Sequence, residues 1–187
     1  AFNLIDANND GKNWEITKQY GTDNYYVMSY SFQGSAITPD NYIVTKEAYV
    51  ITAASKLTYK VNAVKPYPEH YAVVVSEDGE NWDIVFEETI EHAEWTNTSV
   101  SLAEYAGKGV LVGIRHYNCT GLYFLAVDNF ALETLEVPAA PVVTATAVNS
   151  STISLTWAAV EGATSYNVYQ GDEVIATVEE TTYAVTG

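Results

Sequence analysis

Asp6, Asn8 and Asp10 stand at alternate positions ahead of Gly11, a spacing of oxygen side chains that lets a short loop wrap a hard cation such as Ca²⁺. Counted from Asp6, they match the first half of a helix–loop–helix calcium loop, with Gly11 at the sharp turn and the Lys12 carbonyl next in line. The second half departs. Thr17 stands where such a loop carries its bidentate Glu, and the flanks Phe2–Ile5 and Trp14–Thr17 alternate as strands do. A Ca²⁺ ion taking about six to eight oxygens would then draw a further carboxylate from elsewhere in the chain. Asn, Asp and Gly together are also the chemistry of an Asx-rich turn, so a cation loop and an ion-free turn both fit.

The other reactive side chains are few. Cys119 is the single cysteine, which excludes an intramolecular disulfide. It lies three residues past His116, an odd offset on a strand running out into a turn, so the two side chains are expected to face apart and Cys119 to act as packing. His70 and His116 lack a partner His or Cys at zinc-ligand spacing and read as packed residues. Phosphate-cradling glycine loops, G-x-S-x-G elbows and H-E-x-x-H helices are absent. The acids of Glu87–Glu94 read as a solvated loop rather than a glycosidase pair. The sequence therefore points away from an enzyme.

These residues need a scaffold, and composition says which kind. Hydrophobic residues make up 48% of the 187 and aromatics 13%, enough for packed cores, and the 15 Tyr among many Val and Thr favour strands. Only Leu102–Ala106 suggests a turn of helix. The formal charge of −16 repels phosphate backbones and anionic lipid, which excludes nucleic-acid binding. No apolar run approaches the length that spans a bilayer, so no membrane insertion is expected.

Strands are expected at Tyr25–Ser31, Ala48–Ile51, Lys56–Val61, His70–Ser76, Trp82–Glu88, Thr96–Leu102, Val110–His116 and Leu122–Leu132, with a tight Asp78-Gly79 hairpin. The pattern breaks where Pro138 and Pro141 bracket alanines, placing a boundary between domains 1–136 and 137–187. The fold class is all-β: a jelly-roll β-sandwich followed by a partial fibronectin type III-like β-sandwich.

Five ordered segments, Ile5–Trp14, Pro39–Thr45, Glu69–Val73, Arg115–Thr120 and Val127–Phe130, resemble the cleaved adhesin domains of gingipain haemagglutinin regions over about residues 2–134. That resemblance implies a jelly roll of the MAM and carbohydrate-binding type with structural calcium, and it offers Asp128 as the missing ligand beside Asp6, Asn8, Asp10 and the Lys12 carbonyl. An acid within the apolar run Leu122–Phe130 also asks for a partner, since burying an unpaired carboxylate costs several kcal/mol; at a strand end it simply meets water.

Pro141–Thr146, Thr152–Trp157, Ala163–Tyr169 and the hairpin Gly171–Thr177 look like the opening of a bacterial fibronectin type III domain, with Trp157 and Tyr166 as core residues. Fewer residues follow Pro138 than such a module needs, so the last strands are expected from further chain, lost by truncation or proteolysis, or from another chain. The leading expectation is a non-catalytic, calcium-stabilised adhesion module of a larger multidomain protein on the bacterial outer surface or secreted from it, binding a host extracellular protein or glycan. The alternative is a carbohydrate-binding module attached to a secreted glycosidase or protease, using turn-proximal aromatics such as Tyr25, Tyr26, Tyr67 and Trp95. A ligand-free spacer is the third.

Overall fold

The computed structural model describes residues 2–19, 21–134 and 140–186. The chain divides into two compact units, Ala1–Leu135 and Glu136–Gly187. The expected boundary motif lies, as far as Ala139, outside the described residues.

Eleven strands build the first unit: β1 (Phe2–Asp6), β2 (Glu15–Lys18), β3 (Tyr25–Tyr30), β4 (Asn41–Thr45), β5 (Tyr49–Val50), β6 (Lys56–Asn62), β7 (Glu69–Ser76), β8 (Asp83–Ile90), β9 (Thr96–Ser101), β10 (Gly109–His116) and β11 (Phe124–Glu133). One sheet runs β1-β4-β10-β7-β8, with β5 added along β10; the other runs β2-β3-β11-β6-β9. All pairings are antiparallel. The chain passes repeatedly from one sheet to the other, giving a jelly-roll sandwich.

Alternation explains which faces meet. Ile43 from β4, Tyr71, Val73 and Val75 from β7, and Val110, Val112 and Ile114 from β10 point inward to one buried cluster with Leu57, Tyr59, Val61, Leu125 and Val127 of the opposite sheet. β4 is absent from the strands expected by alternation. All five of its residues are buried, so both of its faces are covered and no polar–apolar rhythm marks it. The suggested helical turn is a short 3₁₀ segment, Ala103–Tyr105.

The second unit holds β12 (Val143–Asn149), β13 (Thr152–Trp157), β14 (Tyr166–Gln170), β15 (Glu173–Val178) and β16 (Thr182–Thr186). They form a three-stranded sheet, β12-β13-β16, and the hairpin β14-β15. β16 lies beyond the strands read from sequence and pairs with β13 over five residues. The Trp157 and Tyr166 rings meet edge-on, 5.4 Å apart.

Two features of the first core are testable. A Cβ on Gly113 would fall against the Ile43 carbonyl oxygen and lie 2.5 Å from Val44 Cγ1 and 2.9 Å from Val44 Cα, because β10 and β4 run against each other there. Gly113→Ala is expected to destabilise the first unit by about 1–3 kcal/mol in urea unfolding, through overpacking. Elsewhere, the buried hydroxyls of Tyr59 and Tyr71 hydrogen-bond at 2.9 Å, and Tyr71 donates to Glu88. Burial pushes both phenols above their ordinary range. A raised folded-state pKa makes their contribution complete below the unfolded value of about 10 and lost as pH rises beyond it. The urea midpoint should therefore drop above about pH 10, and less steeply in Tyr59→Phe; equal slopes in the two proteins would refute the assignment.

Candidate functional site

The β1–β2 loop gathers its acids around its own backbone. Asp6 accepts from the amides of Asp10 (3.3 Å) and Gly11 (2.9 Å), and Asp10 accepts from the Lys12 amide (2.8 Å). Left-handed conformations at Asn9 (φ 56°) and Gly11 (φ 77°) make this curl possible. Asn8 Nδ2 donates to the Thr38 carbonyl at 2.7 Å and approaches Asp10 Oδ2 at 3.3 Å, while the Ala7 amide donates to the Asp40 carbonyl. Trp14 then enters the core, and its indole N–H donates to the Asn41 carbonyl. Lys12 sends its ammonium to Gln33, leaving only its carbonyl for a cation.

Asp6, Asn8 and Asp10 are thus brought together, and Asp128 is not brought to them. Asp128 lies on β11 of the five-stranded sheet, across from Lys60, where its carboxylate accepts the Asn129 amide at 2.7 Å. Asn129 takes a left-handed φ of 51°, and the β11–β6 register shifts immediately after Asp128. This bulge supplies a local reason for an acid at that point of an apolar strand. Asp6 and Asp10 have the oxygen chemistry of a Ca²⁺ site, and their carboxylate oxygens keep lone pairs beyond the amides they accept. Among the described residues, the group of three metal-capable side chains whose ligand atoms all lie within 4.8 Å of one another is a different one, Glu69, His116 and Cys119.

That group sits where inward alternation runs out of apolar residues. Two positions before Tyr71 the inward residue of β7 is Glu69; two after Ile114 on β10 it is His116; and β3 and β4 contribute Ser29 and Asn41. Glu69 and His116 are both 0% exposed. Glu69 Oε1 accepts from the Ser31 hydroxyl (2.6 Å) and the Tyr123 amide (2.7 Å), while Oε2 lies 3.1 Å from His116 Nε2. His116 Nδ1 is 2.8 Å from Ser29 Oγ, which accepts from Asn41 Nδ2. Burial alone would raise the Glu69 carboxyl, but the hydrogen bonds from His116, Ser31 and Tyr123 outweigh it and hold it below the usual carboxylate range. Burial pushes His116 down, so the imidazole is neutral beside an ionised carboxylate.

Cys119 corrects the expectation from spacing. Its Sγ lies 3.2 Å from His116 Nε2, because the chain leaves β10 and turns back through Asn118 at φ 55°. Offset parity governs facing only while the strand continues. Burial pushes the thiol well above its ordinary range, so the pair lacks the accessible thiolate a nucleophile requires.

The two outer faces differ. On the six-stranded sheet, Arg115 makes a forked pair with Asp40 (2.7 and 2.9 Å) and lies over the rings of Tyr117 (4.2 Å) and Tyr42 (5.0 Å). The Tyr117 hydroxyl donates to Glu87 at 2.6 Å, and burial followed by that carboxylate pushes the phenol up to about 12. On the other sheet and in the loops flanking it, aromatic rings recur in contact. Trp95 meets Tyr26 edge-on at 5.4 Å, Tyr30 meets Phe124 at 6.2 Å, and Phe124 leads to Tyr123 (4.8 Å) and on to Tyr67 (6.0 Å). Tyr67 and Tyr123 remain 44% and 41% exposed, enough to offer ring faces to a partner.

The family model described as Cleaved Adhesin Domain matches residues 1–132, which lie in the first unit. The chain belongs to that family. It is 30% identical over 161 aligned residues to Lys-gingipain of Porphyromonas gingivalis, covering 68% of this chain and 9% of that protein. Hemagglutinin A of Porphyromonas gingivalis W83 aligns at the same identity and length, over 68% of this chain and 7% of its own. The solved K1 cleaved adhesin domain of Lys-gingipain from Porphyromonas gingivalis W83 has a TM-score of 0.64 at 26% identity, covering 72% of this chain and 91% of that domain. This cleaved adhesin domain therefore corresponds to one small part of long relatives. Among the described residues, no helix is long and apolar enough to cross a membrane.

Proposed function

We propose that this chain is a non-catalytic, calcium-stabilised adhesion module of a secreted or cell-surface bacterial protein, and that it grips a host extracellular protein or glycan through the aromatic face of the five-stranded sheet. The single observation that carries the reading is the run Tyr30–Phe124–Tyr123–Tyr67, in which Tyr123 and Tyr67 keep over 40% of their surface exposed. Tyr is well suited to such a role, since it presents a rigid apolar ring with a hydrogen-bonding tip. Membership of an adhesin family supports the class. The half-buried thiol beside His116, pushed up by that burial, supports the absence of nucleophilic chemistry. The second unit, read as fibronectin type III-like, serves as a spacer.

Rings that stack on sugar faces equally suit a carbohydrate-binding module attached to a secreted glycosidase or protease, with Trp95 and Tyr26 at the far end of the same face. A glycan array run beside immobilised haemoglobin and matrix proteins separates the two partners. Tyr67→Ala with Tyr123→Ala is expected to weaken whichever binding is found by about tenfold or more, the loss of roughly 1.4 kcal/mol or more. Blank results on both panels, or full binding by the double variant, would overturn the assignment of the face.

Calcium, in this reading, is held by Asp6, Asn8 Oδ1, Asp10 and the Lys12 carbonyl, with waters completing the shell. When bound it supplies a fixed positive charge that ties the loop to itself. The loop in turn is tied to residues 38–41 by Asn8 and Ala7. At free Ca²⁺ of about 100 times Kd, the folded state gains about 2.7 kcal/mol, so calcium should raise Tm by several degrees over chelated protein. Asp10→Asn should shrink that difference and Asp128→Asn should preserve it. An identical Tm with calcium and with chelator rules the site out.

A further inference from the structure

The interior end of the sandwich carries a site of a different chemical kind. We propose that Glu69 Oε2, His116 Nε2 and Cys119 Sγ form a binding site for a zinc-class divalent cation, separate from the Asp6–Lys12 loop and independent of the adhesion reading.

Three observations support it. The first is donor chemistry. A thiol, an imidazole and a carboxylate converge within 4.8 Å of one another, and thiolate with imidazole selects zinc-like ions over Ca²⁺ or Mg²⁺. The second is distance. Zinc bonds of about 2.3 Å to sulfur and about 2.0–2.1 Å to nitrogen and oxygen imply ligand edges of about 3.5 Å for S···N and about 3.4 Å for N···O in a tetrahedron. The present separations are 3.2 Å for Sγ···Nε2 and 3.1 Å for Nε2···Oε2, so each edge opens by a few tenths of an ångström. The third is support from behind. Ser31 and the Tyr123 amide hold Oε1 and so aim Oε2 at the imidazole, while Ser29 holds Nδ1 and sets the ring plane. Metal-binding histidines and carboxylates are held by such partners.

The protons balance. In the metal-free network the neutral imidazole carries its proton on Nε2, facing the ionised Glu69. On binding, that proton moves to Nδ1, where Ser29 Oγ can accept it, and the Nε2 lone pair is freed for the ion. The thiol proton leaves to solvent, one per cation bound. The doubly charged ion then faces one thiolate and one carboxylate, and this neutral assembly suits the buried end of the core. The fourth vertex falls to water, reached past the turn that carries Asn118, Thr120 and Gly121, all exposed.

Cobalt is the probe, because a thiolate-to-cobalt charge-transfer band in the near ultraviolet reports sulfur ligation and the chain has one cysteine. The 187-residue protein is stripped of metal, given excess Ca²⁺ to fill the loop, and titrated with Co²⁺. The expected result is saturation at one equivalent, with the charge-transfer band, intense visible bands of a four-coordinate ion, and displacement by Zn²⁺. Cys119→Ser should lose the charge-transfer band and Asp10→Asn should keep it. No band at saturating Co²⁺, or a band that survives Cys119→Ser, overturns the proposal. A measurement on the unaltered protein guards against misfolding of the variant: Zn²⁺ titrated into weakly buffered protein should release about one proton per ion bound, and no release also overturns it.

Discussion

A carboxylate with no exposed surface, Glu69, is the constraint around which the first unit is arranged. An ionised group removed from water is tolerated only when hydrogen-bond donors replace its hydration, and here they come from three places: just past the end of β3, the end of β10 and the residue preceding β11. Ser31, His116 and the Tyr123 amide each belong to a segment that must arrive in register for the pairing to close. The same residues link both sheets. Ser31 and Tyr123 belong with the five-stranded sheet, and Glu69 and His116 with the six-stranded one. The network therefore fixes how the sandwich closes at that end, while Leu57, Tyr59, Ile114 and Val127 fill the middle without comparable directionality.

From this end the other features follow in space. Asn41, bonded to Ser29, is also the residue whose carbonyl receives the Trp14 indole, and Trp14 stands two residues after the acidic loop. The loop is thus moored to the interior network through one buried ring and through the 38–41 segment, although the loop itself lies at the surface. Arg115, one residue before His116, points to the opposite face and joins Asp40, Tyr42 and Tyr117. Strand alternation places a buried imidazole and a half-buried guanidinium on adjacent positions of β10, and each anchors a different layer.

The exposed aromatic run on the other sheet fits the same economy of structure. Tyr30 and Phe124 are cross-strand partners on β3 and β11, so their ring contact strengthens the sheet as well as shaping its surface. Tyr123 donates its amide to Glu69 while its ring meets Tyr67 outside. One residue therefore couples the interior carboxylate to the surface proposed for a partner.

Much of this was legible beforehand. Composition and alternation give an all-β chain, most strands of the first sandwich, and an acidic loop as a local object, because each depends on residues close together in sequence. Five ordered segments carry the family, and the family match confirms it. β4 escaped because burial on both faces erases the period by which strands are found. The interior network was written in the alternation too, one step beyond the apolar residues at Glu69 and His116, but nothing local tells a polar residue inside from one at a strand end. Bonded pairs within it, such as Ser29 and His116, lie 87 residues apart in sequence, and only the antiparallel registers bring them together. The approach of Cys119 to His116 and the separation of Asp128 from the loop were likewise decided in three dimensions, where a left-handed turn and a bulge redirect side chains that sequence spacing treats as if the strands ran straight.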